Sequence, residues 1–225
     1  MLTFARSVAL ALTLVLLPAI AGAQTPLQTI ADNYRKAAGQ NISNNSLCVQ
    51  AHPRYVTSCK TFQDMSNIDM ALAVVYDHWA AAFDKNDKAA VWEARRQEAA
   101  LVLQFREAAK KTWAPEIVST PWTARRNGMH SVVLPVYVRE LEYAMNVRDN
   151  VCTLTVKPEM QESCRQDWTA YAAVVQSVIS AGQKLNAASD RSDQGAYLDA
   201  TIEEAKARQS AIEIEYKVKT EYLAL

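Results

Sequence analysis

The sequence predicts an all-α protein built from two helical units, each stapled by one disulfide. Gly and Pro are scarce, 5 and 7 of 225 residues, and apolar residues recur at helical spacing over long stretches. Four Cys form two pairs, Cys48 with Cys59 and Cys152 with Cys164, and each pair brackets a short loop that contains a proline. The order of helix, Cys-bracketed loop and long helical hairpin occurs twice, which predicts an internal duplication.

The first 23 residues have the pattern of a Sec-type signal peptide. Arg6 is the only charge before Asp32, an apolar run covers residues 8–17, and small residues end the segment at Ala23. A membrane anchor is the alternative, but the run is short for a span and is broken by Pro18. We therefore expect cleavage after Ala23, no membrane anchor after cleavage, and a periplasmic or secreted protein.

The mature chain is predicted to be nearly neutral. The sequence has 24 Lys and Arg against 24 Asp and Glu, and cleavage of the leader removes only Arg6. A chain of this charge has no electrostatic reason to bind nucleic acid or an anionic membrane. These two classes of partner are therefore not expected.

An even number of Cys in an exported chain predicts disulfides. Four Cys allow three connectivities, and the repeat favours Cys48–Cys59 and Cys152–Cys164, because a duplicated unit carries its own staple. Closing a loop of this length stabilises a fold by about 3 kcal/mol. A zinc site is the alternative, but the Cys spacing is wider than in zinc motifs and His52 is the only His close to a pair.

The first unit is assigned to residues 24–113. A helix starts at Pro26, where a first-turn proline is tolerated, and Gly39 is predicted to end it. Residues 41–46 are rich in Asn and Ser and predict a loop. This stretch holds two Asn-x-Ser sequences, at Asn41 and Asn44, which a eukaryotic secretory pathway could glycosylate.

A helical hairpin follows the first Cys loop. The second helix is predicted at 66–83, with Ser66 as its N-cap and Asp69 as an acidic residue of its first turn. A polar turn at 84–87 leads to a third helix at 88–112, so the two helices should be antiparallel. The apolar stripe of the second helix consists of Ile68, Leu72, Val75, Tyr76, Trp79 and Phe83.

Prolines and glycine interrupt the chain at 114–128, which we assign as a linker. The second unit, 129–225, repeats the order of the first. Its helices are predicted at about 132–147, 167–185 and 196–222, with Pro135 in the first turn and a polar turn at 189–195.

The sequence contains no catalytic or nucleotide-binding signature, which predicts a protein that is not an enzyme and has no cofactor or metal. Two alternatives stay open. His78 with Glu98 or another carboxylate could make a metal- or small-ligand-binding periplasmic bundle, although an ordinary helical His is favoured. An unrecognised active site would need convergent titratable groups in a pocket. The carboxylates of the last helix are predicted to lie on a solvated face: Glu203, Glu204, Glu213 and Glu215.

Two loops carry the candidate binding residues. His52, Arg54 and Tyr55 lie in the first Cys loop, and Arg125 and Arg126 lie in the linker. Arg and aromatic side chains are enriched at protein interfaces. The sequence therefore predicts a non-enzymatic protein that acts on a partner protein in the cell envelope.

Residues 48–111 also match a known pattern in part. The Cys pair is followed by a helix that carries Asp69, Leu72 and Tyr76, then by a polar turn and a helix ending in Phe105-Arg106. This combination resembles the LprI-like exported lysozyme-inhibitor domain family. That family has a further Cys, where residues 108–111 here are Ala or Lys, and a Gln-Arg-x-Trp step that this chain lacks. The resemblance implies a secreted helical module that binds a partner protein, with a muramidase as one candidate.

Overall fold

The computed structural model describes residues 25–112 and 129–223, with side chains from residue 134 onward in the second stretch. All regular secondary structure in these residues is helical, which confirms the predicted all-α class. The chain divides into two compact units, Met1–Arg125 (unit 1) and Arg126–Leu225 (unit 2). The predicted signal peptide and the whole predicted linker, including Arg125 and Arg126, lie outside the described residues. No helix in the described ranges is long and apolar enough to cross a bilayer.

Unit 1 contains three long helices. They are α1 (Pro26–Ala51), α2 (Thr61–Asp84) and α3 (Lys88–Thr112). A 3₁₀ turn at Pro53–Tyr55 and a single helical turn at Val56–Cys59 connect α1 to α2. The middle helix α2 packs against both α1 and α3, so the apolar core of the unit surrounds α2.

The prediction that Gly39 ends the first helix is wrong, and so is the predicted loop at 41–46, because α1 continues to Ala51. Several polar side chains of this stretch form hydrogen bonds within the helix. Gln40 donates to Asn44 at 3.1 Å, and the Ser43 hydroxyl donates to the Gly39 carbonyl at 3.2 Å. Tertiary packing outweighs the low helix propensity of Gly and Asn here, since Ala38 and Asn41 are buried. Asn41 is therefore hidden from a glycosylating enzyme in the folded protein.

Two details of the predicted second helix are also wrong. α2 begins at Thr61, so Ser66 is an interior residue rather than an N-cap, and its hydroxyl donates to the Ala38 carbonyl of α1 at 3.0 Å. Phe83, assigned to the apolar stripe, is 46% exposed at the end of the helix. The residues of the predicted stripe therefore face the core only as far as Trp79.

Unit 2 repeats this order, with a shorter first helix and longer second and third helices. They are α4 (Met129–Asn146), α5 (Gln161–Asp190) and α6 (Gln194–Tyr222), and α5 packs against both neighbours. A π-helical turn at Val147–Val151 and a short helical turn at Cys152–Leu154 continue the chain from α4 into the second Cys loop. Pro135 lies inside α4 rather than in its first turn, since the helix begins at Met129. α5 is longer than the predicted 167–185, and the polar turn shrinks to the three residues between α5 and α6.

The hairpin turns of the two units have the same backbone geometry. Asn86 and Ser192 both adopt a positive φ, 52° and 54°. The following residue, Asp87 or Asp193, donates its N–H to a carbonyl five residues earlier at 2.9 Å in both turns. Each of these Asp side chains then accepts from the N–H three residues later at 3.0 Å and caps the next helix. The repeated order of elements thus extends to the atomic pattern of the turn.

Both predicted disulfides are present. Cys48 is joined to Cys59 and Cys152 to Cys164, each with a Cα–Cα distance of 5.6 Å, and no free Cys remains. In unit 1 the bond ties the end of α1 to the short turn before α2, and in unit 2 it ties the short turn after α4 to the start of α5. Two structural disulfides indicate that the protein folds in an oxidising environment.

Candidate functional site

The first Cys loop presents the candidate residues His52, Arg54 and Tyr55 on a short, closed turn. The N–H of His52 donates to the Cys48 carbonyl at 2.8 Å, and the N–H of Tyr55 donates to the His52 carbonyl at 2.9 Å. The rings of His52 and Tyr55 meet edge to face, with centroids 6.5 Å apart. His52 is half-buried, whereas Arg54 and Tyr55 are exposed. These three predicted residues therefore lie together on one surface.

Apolar side chains are exposed on and beside this turn. Leu47 at the end of α1 is 62% exposed, Tyr55 39% and Val56 50%. Single exposed apolar residues are ordinary, but three on and beside one disulfide-closed turn are typical of a contact surface.

Basic side chains lie at the same end of unit 1 as these apolar residues. The end of α3 lies close to the start of α2, because the Thr112 hydroxyl contacts the Met65 sulfur at 3.9 Å and the turn at Val56–Cys59 contacts α3. Lys110 and Lys111 in the last turn of α3 are therefore brought to the same end of the unit as Lys60. We call this surface the stapled end of unit 1; it comprises Leu47, residues 52–56, Lys60, Lys110 and Lys111.

The second Cys loop has different chemistry. Leu154 is 79% exposed, and the exposed residues near the turn include one basic and one acidic side chain, Lys157 and Glu159. The side-chain amide of Gln161 donates to the carbonyls of Thr153 and Val156 at 3.1 and 3.3 Å and closes this loop. Each loop is closed by its own disulfide, but the two loops present different charges.

The interior of unit 1 contains two carboxylates. Glu98 of α3 is fully buried and accepts a hydrogen bond from the Tyr76 hydroxyl at 3.2 Å. Asp69 of α2 is fully buried and accepts from the Asn41 side chain at 2.8 Å. Burial raises the pKa of Asp69 to about 7, and the hydrogen bond from Asn41 opposes this rise only in part.

Sequence reasoning missed both of these carboxylates. Asp69 was assigned to a first turn, and Glu98 was treated only as a companion of His78. The signal was present, because Asp69 precedes Leu72 by three residues, and Glu98 follows Ala94 by four, within the apolar stripes of their helices. A charged residue inside such a stripe indicates a buried, hydrogen-bonded group.

The structure does not bring His78 and Glu98 into one open site. His78 is exposed on α2, while Glu98 is enclosed in the core with Tyr76. Within the described residues, no group of three or more His, Cys, Asp or Glu side chains is arranged to hold a metal ion.

Unit 2 has its own polar cluster between its helices. The Tyr171 hydroxyl donates to the Glu140 carboxylate at 2.8 Å, and the Lys219 ammonium contacts Glu140 at 3.6 Å and Glu215 at 2.6 Å. The assignment of Glu215 to a solvated face is wrong, since it is buried against Lys219. Trp168 is fully buried beside Tyr171, with ring centroids 5.6 Å apart. This lysine-balanced cluster joins the outer helices α4 and α6 to α5.

Comparison of the chain with protein-family models, curated proteins and solved structures yields no match. The functional argument therefore depends on the chemistry of the described surfaces.

Proposed function

We propose that this protein is an exported, non-enzymatic binding protein that docks on a partner protein in the cell envelope through the stapled end of unit 1. The observation that carries the proposal is the exposure of Tyr55, Val56 and Leu47 around Arg54 on a loop closed by Cys48–Cys59. Arg and Tyr are among the residues that contribute most to binding energy at interfaces.

The disulfide favours this use of the loop. The bond and the two backbone hydrogen bonds from His52 and Tyr55 restrict the turn before a partner arrives. A preorganised loop loses less conformational entropy on binding, so a small contact surface retains more of its interaction energy.

The charge of the stapled end supports an acidic partner surface. Its four basic side chains outnumber the acidic neighbours Asp64 and Glu107. Arg54 lies in the Cys loop, Lys60 directly precedes α2, and Lys110 and Lys111 lie in the last turn of α3. Opposite charges around an apolar centre speed association and fix its orientation.

The likeness to lysozyme-inhibitor domains bears on the scaffold rather than on the docking surface. Of the residues that carry the likeness, Asp69, Leu72, Tyr76 and Phe105 are buried and Arg106 is half-buried. The buried residues support a helical hairpin like that of the lysozyme-inhibitor domains, while the exposed residues determine which partner is bound. A muramidase stays one candidate, and the pattern of the first 23 residues supports a periplasmic or secreted location.

The proposal is tested with the oxidised mature chain as bait. The variant Arg54→Glu/Tyr55→Ala should lose at least ten-fold of the affinity for a protein captured from envelope extract, because it removes an aromatic contact and reverses a charge. Isothermal titration with the captured protein measures the loss, and the wild-type affinity should fall as salt is raised. Lysozyme inhibition is measured in parallel.

The matched control is Leu154→Ala/Lys157→Glu, which makes the same kinds of change in the second Cys loop. This control should bind like the wild type. The proposal is wrong if no envelope protein is retained and lysozyme is not inhibited, or if both double variants bind equally well.

A further inference from the structure

The interface between α1 and α2 contains a group of buried polar side chains. The Asn41 side-chain amide donates to Asp69 Oδ2 at 2.8 Å, and the Ser66 hydroxyl donates to the Ala38 carbonyl at 3.0 Å. Asn41 and Asp69 are both fully buried. These bonds join the two helices that the Cys48–Cys59 disulfide also connects.

Two oxygen atoms of this group accept no hydrogen bond from the described residues. Asn41 Oδ1 and Asp69 Oδ1 are buried and have no hydrogen-bond partner among the described residues. If Asp69 were ionised, both atoms would be acceptors without a donor in a medium that excludes water. A single proton on the carboxyl group supplies the missing donor, because a neutral carboxylic acid has one O–H.

We propose that Asp69 is a neutral carboxylic acid in the folded protein at mildly acidic pH, and that its O–H donates to Asn41 Oδ1. The acid and the amide then exchange two hydrogen bonds, one already observed from Asn41 and one from Asp69. The pair forms a proton-dependent clasp between α1 and α2. The proton is taken up from solvent on folding and is released to solvent when the pH is raised.

The surroundings favour the neutral form. Burial raises the pKa of Asp69, and no charged neighbour contributes to the shift. The charged groups on the neighbouring helices pair with other residues. Arg35 of α1 is exposed and pairs with Asp32 and Asp77. Glu98 of α3 is buried with Tyr76.

The remaining charged side chains near the interface are peripheral. Arg106 of α3 is half-buried, Asp64 of α2 is exposed, and Arg54 and Lys60 at the Cys loop are exposed. None of them is among the causes of the shifted pKa. The clasp therefore titrates as a proton on one acid rather than as an ion pair.

The direction of the pH effect follows from the raised pKa. The folded protein binds the proton more tightly than the unfolded chain, so the contribution of Asp69 is complete below about pH 4 and decreases as the pH rises to about 7. Above that pH the interface holds a buried negative charge. α1 and α2 should then separate more often.

Infrared and NMR spectroscopy of the intact oxidised chain test the proposal. At about pH 6 ordinary carboxyl groups are ionised. One carboxylic-acid C=O band should persist there, and a ¹³C-labelled Asp carboxyl resonance should titrate with a midpoint near 7. Absence of the band, together with titration of every Asp carboxyl near its ordinary value, would overturn the proposal.

The variant Asp69→Asn assigns the signal. Asn has nearly the shape of the neutral acid and makes the same two hydrogen bonds without a titrating proton. The band and the resonance should disappear in this variant, and hydrogen exchange of α1 should lose its dependence on pH after correction for intrinsic rates. Asp64→Asn, an exposed site on the same helix, should retain both signals; their loss in this control and not in Asp69→Asn would count against Asp69.

Discussion

The Tyr76 hydroxyl of α2 donates to the Glu98 carboxylate of α3, and both side chains are fully buried. The Tyr76 ring also stacks against the rings of Tyr34 and Trp79, with centroid distances of 5.5 and 5.6 Å. One side chain thus links all three helices of unit 1 through Tyr34 of α1, its own helix and Glu98 of α3. Its two roles, stacking and hydrogen bonding, can be separated by mutation.

Tyr76→Phe should lower the free energy of unfolding by about 1–3 kcal/mol, because a buried carboxylate loses a donor while the stacking is kept. Urea unfolding of the oxidised chain measures the change. A second variant, Glu98→Gln, completes a double-mutant cycle, which should show coupling between the two sites. Tyr55→Phe, on the exposed loop, is the control and should be nearly neutral; an equal loss in both Tyr variants would contradict the prediction.

The two disulfides should stabilise their units to a similar extent. Their sequence separations are 11 and 12 residues, so the two loops have nearly the same length and each bond contributes about 3 kcal/mol. Replacement of either Cys pair by Ser should lower the free energy of unfolding by that amount. Peptide mass mapping of the oxidised wild type checks the pairing in solution, and a Cys48–Cys164 peptide would contradict it.

The matched turns offer a test of backbone strain. Ser192 and Asn86 share a positive φ, but Asn tolerates this conformation better than Ser. Ser192→Gly should therefore raise the free energy of unfolding by up to about 1 kcal/mol, while Asn86→Gly should have a smaller effect. Thermal unfolding of both variants gives the comparison. The prediction fails if Asn86→Gly is the more stabilising change.

Acid should weaken unit 2 through Asp167. Burial tends to raise the pKa of Asp167, but hydrogen bonds from Lys217 at 2.8 Å and Tyr222 at 2.7 Å outweigh it and hold the pKa below its usual range. Because the folded pKa is lowered, this stabilisation is present above the unfolded value and is lost as the pH falls through the folded one.

Asp167→Asn should consequently be destabilising at neutral pH, by about 1 kcal/mol for a partly exposed pair, and should approach the wild type in strong acid. Unfolding curves at several pH values measure the difference. Asp190→Asn, at the exposed end of α5, is the control and should change stability little at any pH. A difference for Asp167→Asn that stays constant into strong acid would show that the ion pair is not its cause.

The sequence was sufficient for the helices whose apolar residues are periodic and whose ends carry clear turn residues. The third helix was predicted at 88–112, and α3 covers those residues, because Asp87 caps its start and the apolar stripe continues to Ala108. The end of α1 was missed because Gly39 and the Asn-rich stretch have low helix propensity, which packing of Asn41 against Asp69 overrides. Common ancestry of the two units stays a prediction, supported by the equivalent turns.

By itself the sequence determined the all-α class, the two Cys pairings and the exposed chemistry of the first Cys loop. These properties are local, because helical periodicity, the closure of a short loop and the polarity of a turn depend on residues that are close in sequence. Only the tertiary structure decided that Asp69 and Glu98 are buried, and which residues from other helices contact them. A carboxyl group acquires a partner and a shifted pKa from side chains that are distant in sequence, so the clasp between Asn41 and Asp69 could be found only after α1 and α2 were packed together.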